Sequence, residues 1–144
     1  MGREERLIPA GNAVPGLIRF DNAPYQREPL DMIADPECYR ITLDWAAQVG
    51  KTQVCLCAQA YWIAQDPFPQ MMMQPSQSDL KKWMASKFDR MVDHSDVLKN
   101  LIAKPRGREG INNQIMKSYP GGDLTFAWAG SPTTQRGVSA PKIV

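Results

Sequence analysis

The stretch Asp44-Trp45-Ala46-Ala47-Gln48-Val49-Gly50-Lys51-Thr52 decides how the rest of this chain is read. Before it, Tyr39-Arg40-Ile41-Thr42-Leu43 alternates like a short strand. After it, Val54, Cys57, Ala58, Tyr61 and Trp62 recur at helical spacing. Strand, loop and helix in that order form the setting of a phosphate-binding loop. The backbone N–H groups at a helix start point at an anion, and the helix dipole favours negative charge there. Gly50 lets the backbone approach phosphate oxygens, Lys51 has the reach for terminal phosphates, and the Thr52 hydroxyl suits Mg²⁺. Ala46, Ala47, Gln48 and Val49 supply the loop backbone. The match to G-x-x-x-x-G-K-[ST] is incomplete, since Trp45 stands where the first glycine would be. An ordinary strand-to-helix turn with an exposed lysine is the alternative reading of the same residues.

Length and composition leave room for one domain. The chain has 144 residues, of which 43% are hydrophobic and 22% charged, as in ordinary globular proteins. A net charge of +2 is too small to select a partner by charge alone. No stretch is apolar enough for a membrane span, and the charged start Met1-Gly2-Arg3-Glu4-Glu5-Arg6 leads into no signal-peptide core, so a cytoplasmic location is expected. Cys38, Cys55 and Cys57 fit neither a disulfide framework nor a zinc site. The single histidine, His94, lacks a second ligand nearby and reads as a solvated helix-end residue.

Residues 1–24 are punctuated by Gly, Pro and Asn and read as an irregular arm. The segment from Pro24 to Ile33 mixes an aromatic, an amide and apolar residues before Asp35-Pro36 stops it. Lying just upstream of the first expected strand, it either reaches back over a nucleotide base or is a capping helix that covers a sheet edge. Downstream of the loop, the helix is expected to run to about Ala64, where Asp66-Pro67-Phe68-Pro69 breaks it. Gln70-Met71-Met72-Met73-Gln74 reads as a buried parallel strand, its methionines core rather than a cofactor box. Ser76-Gln77-Ser78-Asp79 has the form of a helix start, followed by an amphipathic pattern through Leu80, Trp83, Met84, Phe88, Met91 and Val92. Its polar face, with Lys81, Lys82, Lys87 and Arg90, suits either solvent or a nucleic-acid backbone. The basic, glycine-punctuated loop Lys104-Pro105-Arg106-Gly107-Arg108-Glu109-Gly110 reads as a DNA-facing loop or as a mobile surface connection. Residues 114–119 and 124–128 flank Pro120-Gly121-Gly122-Asp123 as a hairpin.

Four pieces, in order, resemble the ATPase domain of tailed-bacteriophage terminase large subunits of the lambda-like family. They are Pro24-Tyr25-Gln26-Arg27-Glu28; Ala46-Ala47-Gln48-Val49-Gly50-Lys51-Thr52; Met73-Gln74-Pro75-Ser76 with Trp83; and Tyr119-Pro120-Gly121-Gly122 with Ala129-Gly130-Ser131 and Arg136. The resemblance runs from about Asn22 to Val144. It implies an ATP-driven motor that packages double-stranded DNA into a capsid, working as a homo-oligomer with a small subunit and the capsid portal. It also implies ATP and Mg²⁺ as cofactors, Lys51 and Thr52 on phosphate and metal, Tyr25 and Gln26 near the base, and Arg136 in nucleotide sensing or transition-state stabilisation.

The fold implied is α/β, a P-loop NTPase of the RecA-like type. Its parallel sheet would carry helices on both faces, and its connections would be right-handed. Residues 39–43 would begin that sheet and residues 70–74 would join them, with the hairpin at an edge and a further parallel strand starting at Lys142. In the family an acidic pair follows the segment resembling Ser139-Ala140-Pro141-Lys142, whereas this sequence stops after Ile143-Val144. Residues 25–144 are therefore expected to be a partial ATPase domain, weak in turnover by itself and poorly soluble in isolation. A helicase-like ATPase and a non-catalytic nucleotide- or DNA-binding module are the alternatives.

Overall fold

Prolines and serines set where the elements begin and stop. The computed structural model describes residues 7–8, 16–17, 20–102, 115–136 and 138–144. Within the lead-in, β1 (Leu7–Ile8) pairs antiparallel with β2 (Gly16–Leu17). A 3-10 turn over Pro24–Gln26, with its proline at the first position, leads into α1 (Arg27–Ile33). The chain then runs without regular structure until α2 (Lys51–Ala64), ended by the proline-rich link that leads to β3 (Gln70–Gln74).

Ser76 caps α3 (Gln77–Trp83) by accepting the Asp79 N–H at 3.1 Å, as the capping pattern predicts. A π-helical turn over Met84–Phe88 carries α3 into α4 (Asp89–Asp93). Ser86 Oγ donates to the Lys82 carbonyl at 2.6 Å at this turn. The extra residue in the turn keeps Met84 and Phe88 buried with Leu80 and Trp83, so one apolar face survives the change of period. Ser95 caps α5 (Asp96–Leu101) in turn.

The hairpin is β4 (Met116–Tyr119) and β5 (Gly122–Trp128), tighter than the sequence suggests because Tyr119 pairs directly with Gly122. Pro120 and Gly121 make the reversal. Gly121 sits at φ +90, the backbone a type II turn requires after its proline, and a Cβ there would stand 2.6 Å from Pro67 Cβ. A short α6 (Pro132–Gln135) precedes β6 (Lys142–Ile143). Gln114 and the basic loop 104–110 lie outside the described residues.

The four-stranded sheet has the order β4-β5-β3-β6, with β3 parallel to both neighbours and β4 antiparallel at one edge. Met72 lies in register with Phe126, and Gln70 with Leu124. Against that face pack Leu56, Ala60 and Ile63 of α2, Leu80 and Trp83 of α3, Met84 and Phe88 of the π turn, and Leu98 of α5. Trp83, Phe88 and Phe126 form the aromatic centre, Phe88 meeting Phe126 edge-on at 5.4 Å. Burying each such side chain contributes roughly 1.5–3 kcal/mol. This cluster occupies one face of the sheet, so it does not display the two-sided helical cover that the resemblance implies. Met71, Thr125 and Ala127 alternate onto the other face, where they too are buried.

One expectation about the sheet fails. Residues 39–43 are irregular and Tyr39 is 94% exposed. Alternation alone does not make a strand, because each strand needs a neighbour's backbone. In the described sheet the neighbours of β3 are β5 and β6, and residues 39–43 join neither β3 nor the open outer edge of β6. The strand expected from Lys142 does form beside β3. It is extended by Val144, whose N–H donates to Met71 O and whose carbonyl accepts from Met73 N–H, each at 2.8 Å.

Candidate functional site

The loop before α2 is built by backbone geometry that only some of its residues tolerate easily. Gly50 has φ +94 and Gln48 has φ +61, both left-handed. Glycine adopts this region freely, whereas glutamine pays about 1–2 kcal/mol for it. Trp45 is not among the positive-φ residues. The absence of a glycine there, a departure from the sequence pattern, therefore imposes no strain on this loop.

Lys51 opens α2 and folds back over the loop that precedes it. Its Nζ donates to the Trp45 carbonyl at 2.6 Å and to the Ala46 carbonyl at 3.1 Å. The ammonium thereby ties the first turn of α2 to the loop's beginning and lies within its curve. The start of α2 carries no side-chain cap, unlike α3 and α5. The Gly50 carbonyl accepts from Gln53 N–H at 3.0 Å and Val54 N–H at 3.2 Å. Helix geometry leaves the N–H groups of Lys51 and Thr52 beyond the intrahelical ladder. Thr52 is exposed in the same turn, as are Ala46, Ala47 and Gln48, while Val49 and Gly50 are half-buried.

Tyr25 and Gln26 come against this loop. Tyr25 Oη donates to the Val49 carbonyl at 3.0 Å and Gln26 Nε2 donates to the same oxygen at 3.1 Å. The Tyr25 ring meets Trp45 edge-on, centroids 5.1 Å apart. Gln26 fills the space beside Gly50, where an added Cβ would collide with its amide nitrogen. Sequence reasoning missed Trp45 as a part of the site, treating it only as a misplaced residue. An aromatic at that position together with Tyr25 upstream was the available signal.

Arg136 is exposed at the end of α6, its N–H donating to Pro132 O at 3.1 Å. Among the described residues no hydrogen bond or ion pair joins its side chain to the Lys51 loop. Lys81, Lys82, Lys87 and Arg90 are all exposed, interspersed with Asp79, Asp89 and Asp93. Among the described residues no group of three or more His, Cys, Asp or Glu side chains could hold a metal. Burial raises the Cys55 thiol pKa, which suits a packing residue of α2 rather than a nucleophile.

The fourth piece of the resemblance, Tyr119-Pro120-Gly121-Gly122, does different work. Gln70 Nε2 donates to Tyr119 Oη at 2.9 Å, and Tyr119 donates in turn to the Phe68 carbonyl, locking the hairpin to the start of β3. Lys142 stands over Trp62 and Phe68, 5.6 and 5.5 Å from their ring centroids, at the same end of the sheet. Since α2 packs on the sheet and returns to β3 through the short link 65–69, it runs antiparallel to that strand. The Lys51 loop therefore lies at the opposite end, beyond the carboxyl ends of β3 and β5, the usual ligand side of an α/β sheet.

A family model described as phage terminase large subunit gpA, ATPase domain, matches residues 12–144. The chain belongs to that family. Neither the curated proteins nor the solved structures gave a match. Membership of the terminase ATPase family implies a phage DNA-packaging motor and, for the family, ATP hydrolysis. The mixed sheet with its helices is consistent with such an α/β ATPase domain. No described helix is long and apolar enough to cross a membrane.

Proposed function

We propose that this terminase ATPase domain binds Mg-ATP through the loop 45–52. The observation that carries the reading is the Lys51 ammonium held at the Trp45 and Ala46 carbonyls beside a helix start with no side-chain cap. A cation held at a helix start whose first N–H groups lie outside the helical ladder is what a polyphosphate requires. The residues fit the nucleotide. The N–H groups of Gly50, Lys51 and Thr52 would hold phosphate oxygens, Lys51 would neutralise their charge, and the Thr52 hydroxyl would take a place in the metal's shell. Mg²⁺, when bound, would supply neutralisation of the phosphate charge. Arg136 is assigned to nucleotide sensing or transition-state charge, on the family resemblance alone.

DNA, the small subunit, the capsid portal and further copies of this chain are the partners that the packaging reading brings with it. Lys81, Lys82, Lys87 and Arg90 would be the contacts with a phosphate backbone, weakened by Asp79, Asp89 and Asp93 among them. The test of the nucleotide reading is calorimetric titration of Mg-ATP into the wild-type chain and into Lys51→Ala. Saturable binding that the substitution weakens at least tenfold supports the loop as the site. Equal affinity in both proteins removes it.

A further inference from the structure

Tyr25 and Gln26 stand upstream of the loop where, by resemblance, they would read a nucleotide base. Their side chains are instead engaged with the loop's own backbone. Two donors, Tyr25 Oη at 3.0 Å and Gln26 Nε2 at 3.1 Å, converge on one acceptor, the Val49 carbonyl. Gln26 is itself buried, 9% exposed, and occupies the space that a side chain on residue 50 would need. The Val49–Gly50 peptide is trans, since no peptide bond of the described residues is cis. In a planar trans peptide the carbonyl and the following N–H point in opposite directions. A carbonyl pinned toward the 24–26 turn therefore aims the Gly50 N–H the other way, into the loop.

We infer that Tyr25 and Gln26 are positioning residues for the phosphate grip, acting through the Val49–Gly50 peptide rather than through a base. This rests on the loop being the phosphate site, as proposed above. Its consequence concerns ligand class: the two side chains govern affinity for any polyphosphate, with or without a nucleoside. The Gly50 requirement follows from the same contact. Its missing Cβ makes room for Gln26 as well as for a phosphate oxygen, and φ +94 is held by donors lying outside the loop.

The test compares Mg-ATP with Mg-tripolyphosphate, which has the phosphates and no base. Equilibrium titrations are run on the wild-type chain, Tyr25→Phe and Gln26→Ala, with thermal midpoints alongside. Tyr25→Phe keeps the ring against Trp45 and removes only one donor, so the fold is retained even should Gln26→Ala loosen it. The expected result is a loss of about fivefold per donor removed, the same factor for both ligands, as for one hydrogen bond of about 1 kcal/mol. A shift of the Gly50 amide resonance in the ligand-free variants accompanies it. A loss confined to Mg-ATP would make the pair base readers and overturn the inference, as would unchanged affinity for both ligands. Failure of the wild-type chain to bind either ligand would instead overturn the phosphate-loop reading itself.

Discussion

Lys51 Nζ lies 2.6 Å from the carbonyl oxygen of Trp45, six residues earlier in the chain, and this one contact closes the loop ahead of α2. A second bond, 3.1 Å to Ala46 O, fixes the ammonium from another side. Lys51→Met keeps the aliphatic stem and removes the donor. Polyphosphate affinity is expected to fall by more than tenfold, while stability falls by no more than about 1 kcal/mol, because the contacts lie near solvent. Titration and thermal melting of the same protein separate the two effects.

Gln48 is the one non-glycine residue in the described chain with positive φ, at 61. Gln48→Gly removes the Cβ conflict and is expected to gain up to about 1 kcal/mol, the left-handed cost less glycine's entropy. Gln48→Val adds β-branching at the same backbone and is expected to lose at least as much. Chemical denaturation of the pair measures the difference, and its sign is opposite for the two substitutions.

Gly50→Ala brings two penalties together: the φ of +94 and the collision with Gln26 Nε2. A loss of roughly 1–3 kcal/mol is expected. Pairing it with Gln26→Ala restores part of that loss by clearing the space, though not the part due to φ. A double-mutant cycle on unfolding free energies checks this coupling.

The sequence shows α2 and β3 clearly because prolines bound them and their apolar residues have one reading in that context. The hairpin shows for a similar reason, through Pro120 and Gly121. Residues 39–43 mislead because alternation alone says nothing about whether a segment will dock on a partner strand, and these residues stay off the sheet even though the outer edge of β6 is open. The π turn at Met84–Phe88 is hidden as well, since an inserted residue only blurs the spacing of an apolar face. At the site, Gly50, Lys51 and Thr52 are legible by residue type. The acceptors of Lys51, Tyr25 and Gln26 are not, because all three donate to backbone carbonyls, which every residue carries. Tyr119 was legible as part of a motif, but its lock on Phe68 and Gln70 depends on the hairpin meeting β3.

Burial pushes the Tyr119 phenol up to about 12, against the opposing pull of the Gln70 hydrogen bond and with a smaller upward push from Asp123. The folded protein thus keeps a proton that the unfolded chain releases near the ordinary tyrosine value of about 10. The unfolded state then binds fewer protons, so stability falls as pH rises. The Tyr119 contribution is complete below about pH 10 and is lost progressively toward pH 12. Tyr119→Phe is expected to lower stability at neutral pH by about 1–3 kcal/mol, since Phe68 O loses the hydroxyl donor and Gln70 Nε2 keeps only the Gln59 carbonyl as acceptor. It also removes this residue's part of the alkaline slope. Denaturation curves at pH 8, 10 and 11 on both proteins test the sign.

The central claim is that the loop 45–52 takes a polyphosphate on its backbone and on Lys51. Amide resonances of the ¹⁵N-labelled chain, followed as Mg-ATP is added, test it most directly. The account predicts saturable shifts largest at Gly50, Lys51 and Thr52, absent in Lys51→Ala, with Tyr119 and the hairpin at the far end of the sheet unmoved. Shifts centred elsewhere, or a spectrum that Mg-ATP leaves unchanged, would contradict it.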